Sequence, residues 1–330
     1  MATTVWRLQP PELPPPTVVQ LTSARQAHNA SFSPDGDRIA FASAGQRGDN
    51  RDIWLKIIGA DGARRLTTDP AVDDNPAWSP DGRRIAFTSS RADERSEIWL
   101  AEADGTRPTR LTHGPGRHQG GPRWSPDGSL VAFDSYADDG HADIWAIGVD
   151  GSGLRQVTHD PGDAILPSWS RDGRFLYFVS NRTGRDEIWR IAASGEGDEQ
   201  VTDAGAQGPI VESADGRTLY YRGPTQGGFG GALLSRPTAG GERRMILPCL
   251  TAYDIGRRGL VYMECPREGA GPAELRLHER DVGTGADRPV ATIGTTLSIG
   301  LSVSPDGQTI IYDSSSSWGT SDVMMIDNFR

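Results

Sequence analysis

Pro76-Ala77-Trp78-Ser79-Pro80-Asp81-Gly82-Arg83-Arg84-Ile85-Ala86-Phe87-Thr88-Ser89, followed by Glu97-Ile98-Trp99, Asp104-Gly105 and Leu111-Thr112, decides the fold, because the chain repeats this pattern. Its Ser-Pro-Asp-Gly turn stands at Ser33–Gly36, Ser79–Gly82, Ser125–Gly128 and Ser304–Gly307. Edited copies lie at Ser170–Gly173 and Ser213–Gly216, and a worn one at Gly256–Gly259, giving a period of 43 to 48 residues.

Each unit has one grammar. An aromatic precedes the turn (Phe32, Trp78, Trp124, Trp169), and an alternating β-rich run follows it, such as Ile39-Ala40-Phe41 or Val131-Ala132-Phe133. Next come acid-Ile-Trp triplets at Asp52, Glu97, Asp143 and Glu187, then a closing Leu-Thr or Val-Thr. Short β-branched and aromatic runs between Gly, Pro, Asp and Ser clusters predict four antiparallel strands per unit. No segment carries sustained helical periodicity with caps, so almost no helix is expected. Self-similarity at this period predicts an all-β, seven-bladed β-propeller. The orphan strand Val18–Thr22 matches a fourth strand, while the last unit lacks one after Asp322–Ile326, so the amino-terminal strand is expected to close the last blade and remove its open edge.

Turn chemistry alone accounts for the repeated Asp: Pro presets φ, Asp bonds nearby amides, and Gly takes the left-handed conformation. The indoles at Trp54, Trp99, Trp145 and Trp189 are expected to pack between blades, with a sugar-binding row as the alternative. Asp52, Glu97, Asp143 and Glu187, with Arg91 and Arg182, are expected to form ion pairs or caps at blade edges, worth about 0–1 kcal/mol each if exposed.

Residues 17–330 are read as one propeller domain, preceded by a Pro-rich linker over 1–16 that suggests an excised C-terminal domain. The net charge of −10 disfavours nucleic-acid contact. The given start has no secretory profile or membrane span, so a cytoplasmic setting is expected, with a natural upstream region left open. The isolated domain is expected to be a monomer. If the worn turn joins two strands, facing residues sum to about 514, and Cys249 plus Cys265 does so; two free thiols are favoured over that cross-strand disulfide for a cytosolic chain with two cysteines.

The repeat Pro-x-Trp-Ser-Pro-Asp-Gly-x-x-Ile-Ala-Phe-x-Ser, then Ile-Trp, Asp-Gly and Leu-Thr, best preserved from Pro76 to Thr112, resembles the TolB-type propeller repeat, a cousin of the WD-repeat. The resemblance covers residues 17–330. It implies a propeller whose relatives bind partner proteins, gate prolyl-oligopeptidase-like enzymes, act as sugar lyases or serve as sensory tails of bacterial regulators. The ending from Ser321 is similar to propellers fused behind winged-helix regulators or kinase domains. TolB itself departs in its amino-terminal α/β domain and signal peptide.

No Gly-x-Ser-x-Gly elbow, His-Glu-x-x-His spacing or phosphate-cradling glycine loop is present, so no catalytic residue, dedicated metal site or cofactor is assigned. The crossings between blades surround the axial mouth. They carry Gln26, His28, Asn29, Asp73, Asp74, Asn75, His118, Gln119, Asp163 and Gln207, unlike side chains at positions the repeat does not dictate. The ligand site is expected there, at His28, Asn29, Asp73, Asp74, Asn75, His118, Gln119 and Asp163, and the acids favour a basic or metal-bridged ligand. A non-catalytic binding or sensory module for a protein or peptide is the first expectation. A metal-assisted carbohydrate lyase, with a divalent cation on His28, His118, Gln119 and Asp73 or Asp74, is the alternative, and a structural scaffold the third.

Overall fold

The computed structural model describes residues 16–22, 27–45, 48, 50–92, 95–226, 230–257, 259–265, 275–293, 300–315 and 321–327. The Pro-rich stretch up to residue 15 and Gln26 lie outside them. Among the described residues every regular element is a strand and none is a helix.

The expected unit is seen in full at His28–Phe32, Arg38–Ser43, Asp52–Ile57 and Arg64–Arg65, four antiparallel strands paired in chain order. Ala164–Trp169, Phe175–Ser180, Glu187–Ala192 and Glu199–Gln200 repeat it. Two larger sheets depart from four strands. A single parallel pair, His118 opposite Ser96, joins the second and third units into nine strands. The 13-residue strand Arg244–Gly256 pairs with Gly230–Pro237 along one part and with Gly259–Glu264 along the other, so the fifth and sixth units share it in a seven-stranded sheet.

The turns do the structural work their residues imply. Ser79, Ser125, Ser170 and Ser304 Oγ donate to the Asp two residues on at 2.6–2.7 Å. Gly82, Gly128 and Gly173 then take φ of +68°, +71° and +71°. The same turns dock on one another: a Cβ placed on Gly82, Gly128 or Gly173 would lie 3.5–3.6 Å from Cδ of Pro34, Pro80 or Pro126. On Gly36 it would lie 3.4 Å from Pro305, which carries the relay from the last unit to the first. The indole before each turn adds a bond to the preceding unit: Trp78 Nε1 donates to Ser31 O (3.3 Å), Trp124 to Ala77 O (3.0 Å) and Trp169 to Arg123 O (3.0 Å).

The core lies between neighbouring sheets. Ala132, Ile144 and Val157 of the third unit pack on Ala164, Leu176 and Phe178 of the fourth. Ile39 and Phe41 of the first meet Ile311, Val323 and Met325 of the last. Trp54, Trp99, Trp145 and Trp189 are half-buried against these clusters, and Arg91 and Arg182 lie over Trp99 (4.6 Å) and Trp189 (4.1 Å). The amino-terminal strand joins the last sheet as expected. Thr17 to Gln20 run opposite Asp327 to Met324, Leu21 N donates to Val323 O (2.9 Å), and Thr22 Oγ1 donates to Asp322 (3.0 Å).

The acid-Ile-Trp carboxylates are not edge groups. Asp52, Glu97 and Glu187 are fully buried, and each acid accepts the hydroxyl of the Thr 15 residues later: Thr67, Thr112, Thr158 for Asp143, and Thr202. That same Thr Oγ1 accepts the amide of the Ile beside the acid, at 2.8–2.9 Å in all four units. Arg65, Arg110 and Arg185 complete the charge balance at Asp52, Glu97 and Glu187. The acid therefore ties the third strand to the fourth inside the unit, where an unpaired charge is costly.

The cysteines correct a second expectation. Strand pairs sum to 515 from Gly256–Gly259 back to Ala252–Met263, then a bulge shifts Leu250–Glu264 to 514. That shift sets Cys249 opposite Cys265, with Cα atoms 5.6 Å apart and the sulfurs bonded. Closing a loop of 16 residues stabilises the fold by about 3 kcal/mol in the chain-entropy view. The double variant Cys249→Ser, Cys265→Ser is thus expected to lose about that much in urea unfolding, and reduction of the parent should reproduce the loss; equal midpoints would show the bond contributes nothing.

Candidate functional site

The innermost strands pair unevenly. Register slips between His28 and Ser31, between Asp74 and Ala77 and between Ile165 and Ser168. At each slip one residue turns left-handed: Asn29 (φ +54°), Asn75 (+53°) and Leu166 (+57°). Asn accepts this backbone readily; Leu166, 49% exposed, does so at a cost in strain. Two slips are pinned from the preceding sheet by a buried carboxyl, Asp313 accepting the amide of Asn29 and Asp134 that of Leu166.

Burial pushes Asp134 up and Asp313 up to about 6. A carboxyl raised in the fold favours folding fully below its ordinary value near 3.8, and that advantage is lost as pH climbs through about 6. Asp313→Asn, which keeps an acceptor for Asn29, is therefore expected to change little at pH 4. Above pH 6.5 it should raise stability, by up to about 3 kcal/mol for the full shift. Thermal melts of both proteins across this range check it; parallel pH profiles would sink the assignment.

Four of the expected mouth residues come together. Asn29 Nδ2 donates across the unit boundary to Asp74 Oδ1 (3.0 Å) and Asn75 Oδ1 (2.9 Å). His28 Nε2 lies 3.3 Å and Arg51 Nε 3.1 Å from Asp74 Oδ2. Burial pushes the Asp74 carboxyl up, but bonds from His28, Asn29 and the Asn75 amide outweigh it and hold the group below its ordinary value.

The other four stay apart. Asp73 is fully buried and faces the opposite side of its strand, where Arg91 Nη2 holds it at 2.6 Å. Gln119 is buried and bonds Gly116 O (3.1 Å), while His118 is exposed on a strand paired with Tyr136. Asp163 bonds the Asn181 amide (3.1 Å), with His141 Nδ1 3.3 Å away. Strand alternation sends adjacent acids to opposite faces, which the expectation of a shared Asp73/Asp74 site overlooked. Gln207 lies on a strand opposite Arg222, away from the cluster.

Asn29 and Asn75 border a cavity of about 530 Å³ reached by four units: Phe32 from the first, Trp78 from the second, Arg123 from the third, and Tyr312 and Asp313 from the last. Arg123 and Asp313 were not singled out in the sequence, yet aligning the units exposes Arg123, which follows Ser31 and Ala77 and precedes Ser168 at one repeat position.

Two family profiles match: the TolB β-propeller domain over residues 17–119 and the Tricorn protease N-terminal β-propeller domain over residues 93–228. The chain carries TolB-like β-propeller repeats. A Tol-Pal system protein TolB from Anaeromyxobacter dehalogenans is 44% identical over 52 residues, 16% of this chain and 12% of that protein, so the chain matches only a small part of that relative. A putative TolB structure from Agrobacterium tumefaciens superposes with a TM-score of 0.56 at 20% identity, covering 91% of this chain and 90% of that one. An oligogalacturonate lyase in complex with manganese gives 0.73 at 15% identity, covering 94% and 93%. At these identities the structural likeness shows a shared propeller fold. Among the described residues no three His, Cys, Asp or Glu converge to hold an ion, and His28, His118, Gln119 and Asp73, the expected ligands, face different surroundings. Nor is any described helix long and apolar enough to cross a membrane.

Proposed function

We propose that the TolB-like repeats form seven four-stranded blades in a closed ring, and that the chain is a non-catalytic binding module taking a protein or peptide segment at the axial mouth. It would serve as the C-terminal part of a larger regulator. The cavity of about 530 Å³ carries this reading, because four units bring polar and aromatic side chains to one concave space. The left-handed slips at Asn29 and Asn75 support it: they turn two amides to the cavity wall where a continuous ladder would have been simpler. The TolB relative, a protein of the Tol-Pal system, is in keeping with a protein partner.

Of the expected residues, His28, Asn29, Asp74 and Asn75 would form the rim, with Asp73, His118, Gln119 and Asp163 outside the contact. The test is a peptide-display selection on the whole chain, with selected peptides titrated against the parent and an Asn29→Gly, Asn75→Gly variant. Glycine keeps the left-handed backbone and removes both amides. Binding is expected to weaken at least about tenfold with little change in melting temperature. Unchanged affinity would move the site off the mouth.

A further inference from the structure

We propose that Arg123 makes the cavity an anion site, in which a small organic carboxylate pairs with its guanidinium. The inference deepens the mouth-binding reading and rests on it. Small side chains, Ser31, Ala77 and Ser168, hold the equivalent place in three other units, so the repeat's packing does not call for a long cation there.

Arg123 uses little of its bonding capacity. Nη1 donates to Pro122 O at 3.1 Å, and no described carboxylate reaches ion-pair distance; Asp134 acts on it only through space. The exposed side chain borders two cavities, of about 530 and 440 Å³.

A guanidinium that faces a cavity and has no described ion-pair partner is open to an incoming anion. A carboxylate matches the planar fork of donors in two parallel bonds. Phe32, Trp78 and Tyr312 offer an apolar wall for the ligand's carbon frame. The acids at the mouth are already engaged, Asp74 by Arg51 and His28 and Asp313 by the Asn29 amide. This reverses the preference for a basic or metal-bridged ligand that the bare acid count suggested.

The experiment titrates the whole chain with succinate, inorganic phosphate and arginine methyl ester, for the parent, Arg123→Gln and Arg123→Lys. Succinate is expected to bind the parent, about tenfold or more weakly in Arg123→Gln and at an intermediate level in Arg123→Lys. Without ligand, Arg123→Gln should melt close to the parent, because the exposed guanidinium has no described ion-pair partner to lose. Succinate binding that survives in Arg123→Gln, stronger binding of phosphate or of the ester, or no succinate binding at any soluble concentration would overturn the proposal. The two readings fail separately. Peptide binding lost in the Asn29→Gly, Asn75→Gly variant keeps the mouth even if succinate never binds, whereas succinate held through Arg123 with no peptide bound keeps the anion site and removes the peptide.

Discussion

Replacing Glu97 with alanine is expected to lower the unfolding free energy by about 3–5 kcal/mol, the usual loss when one partner of a buried ion pair is removed. The carboxylate has no exposed surface and accepts three groups: the Thr112 hydroxyl, Arg110 Nη2 at 2.8 Å and the Gly114 amide at 3.0 Å. Alanine would strand those donors and leave the Arg110 charge without its partner. Glu187→Ala should behave alike, since Thr202, Arg185 and the Gly205 amide gather round it in the same way. Glu199→Ala is the control, because that acid is exposed and its tie to Arg190 should contribute no more than about 1 kcal/mol. Urea unfolding followed by tryptophan fluorescence measures all three; a loss below about 1 kcal/mol at Glu97 would return these acids to the blade edge.

Deleting residues 1–22 is expected to abolish cooperative folding or drive the protein to aggregate, whereas deleting 1–14 should leave it nearly unchanged. The longer cut removes all four pairs between Thr17–Gln20 and Ser321–Asp327 together with the Thr22 contacts to Asp322 and Val323. It would bare the whole edge of a strand that carries Val323, Met325 and Ile326 into the core. Light scattering and a urea transition on both truncations decide the matter: an unaltered midpoint after the longer cut would falsify strand sharing.

Most of the fold was legible because the units share positions as well as composition. Ile85 and Phe87 are buried as Ile39 and Phe41 are, and each turn repeats its Ser, Asp and Gly roles. Boundaries between units were less legible. A parallel pair at Ser96 and His118, or a strand long enough to serve two units at Arg244–Gly256, depends on how neighbouring sheets approach, which no local pattern encodes. The site was half legible. Asn29 and Asn75 were read from the crossings between units, but strand alternation sorted Asp73 from Asp74, and burial could not be inferred for Glu97 from a pattern that also suits an exposed edge. The 15-residue spacing between each acid and its threonine was the signal that would have revealed it.

Thr22 and Asp322, bonded to each other, are 300 residues apart along the chain. A ribosome adding about 5–20 residues per second makes the first strand roughly fifteen seconds to a minute before its partner emerges. Throughout that wait Val18 and Val19 belong to a strand with nothing to pair with, beside other growing chains on the same message that carry the same sequence. Correct assembly is thus a race between the late arrival of Ser321–Asp327 of the same chain and its identical counterpart from a neighbour. Exchange between them would yield a swapped dimer held by the very contacts that should close the monomer, and slower elongation or denser polysomes should raise its share.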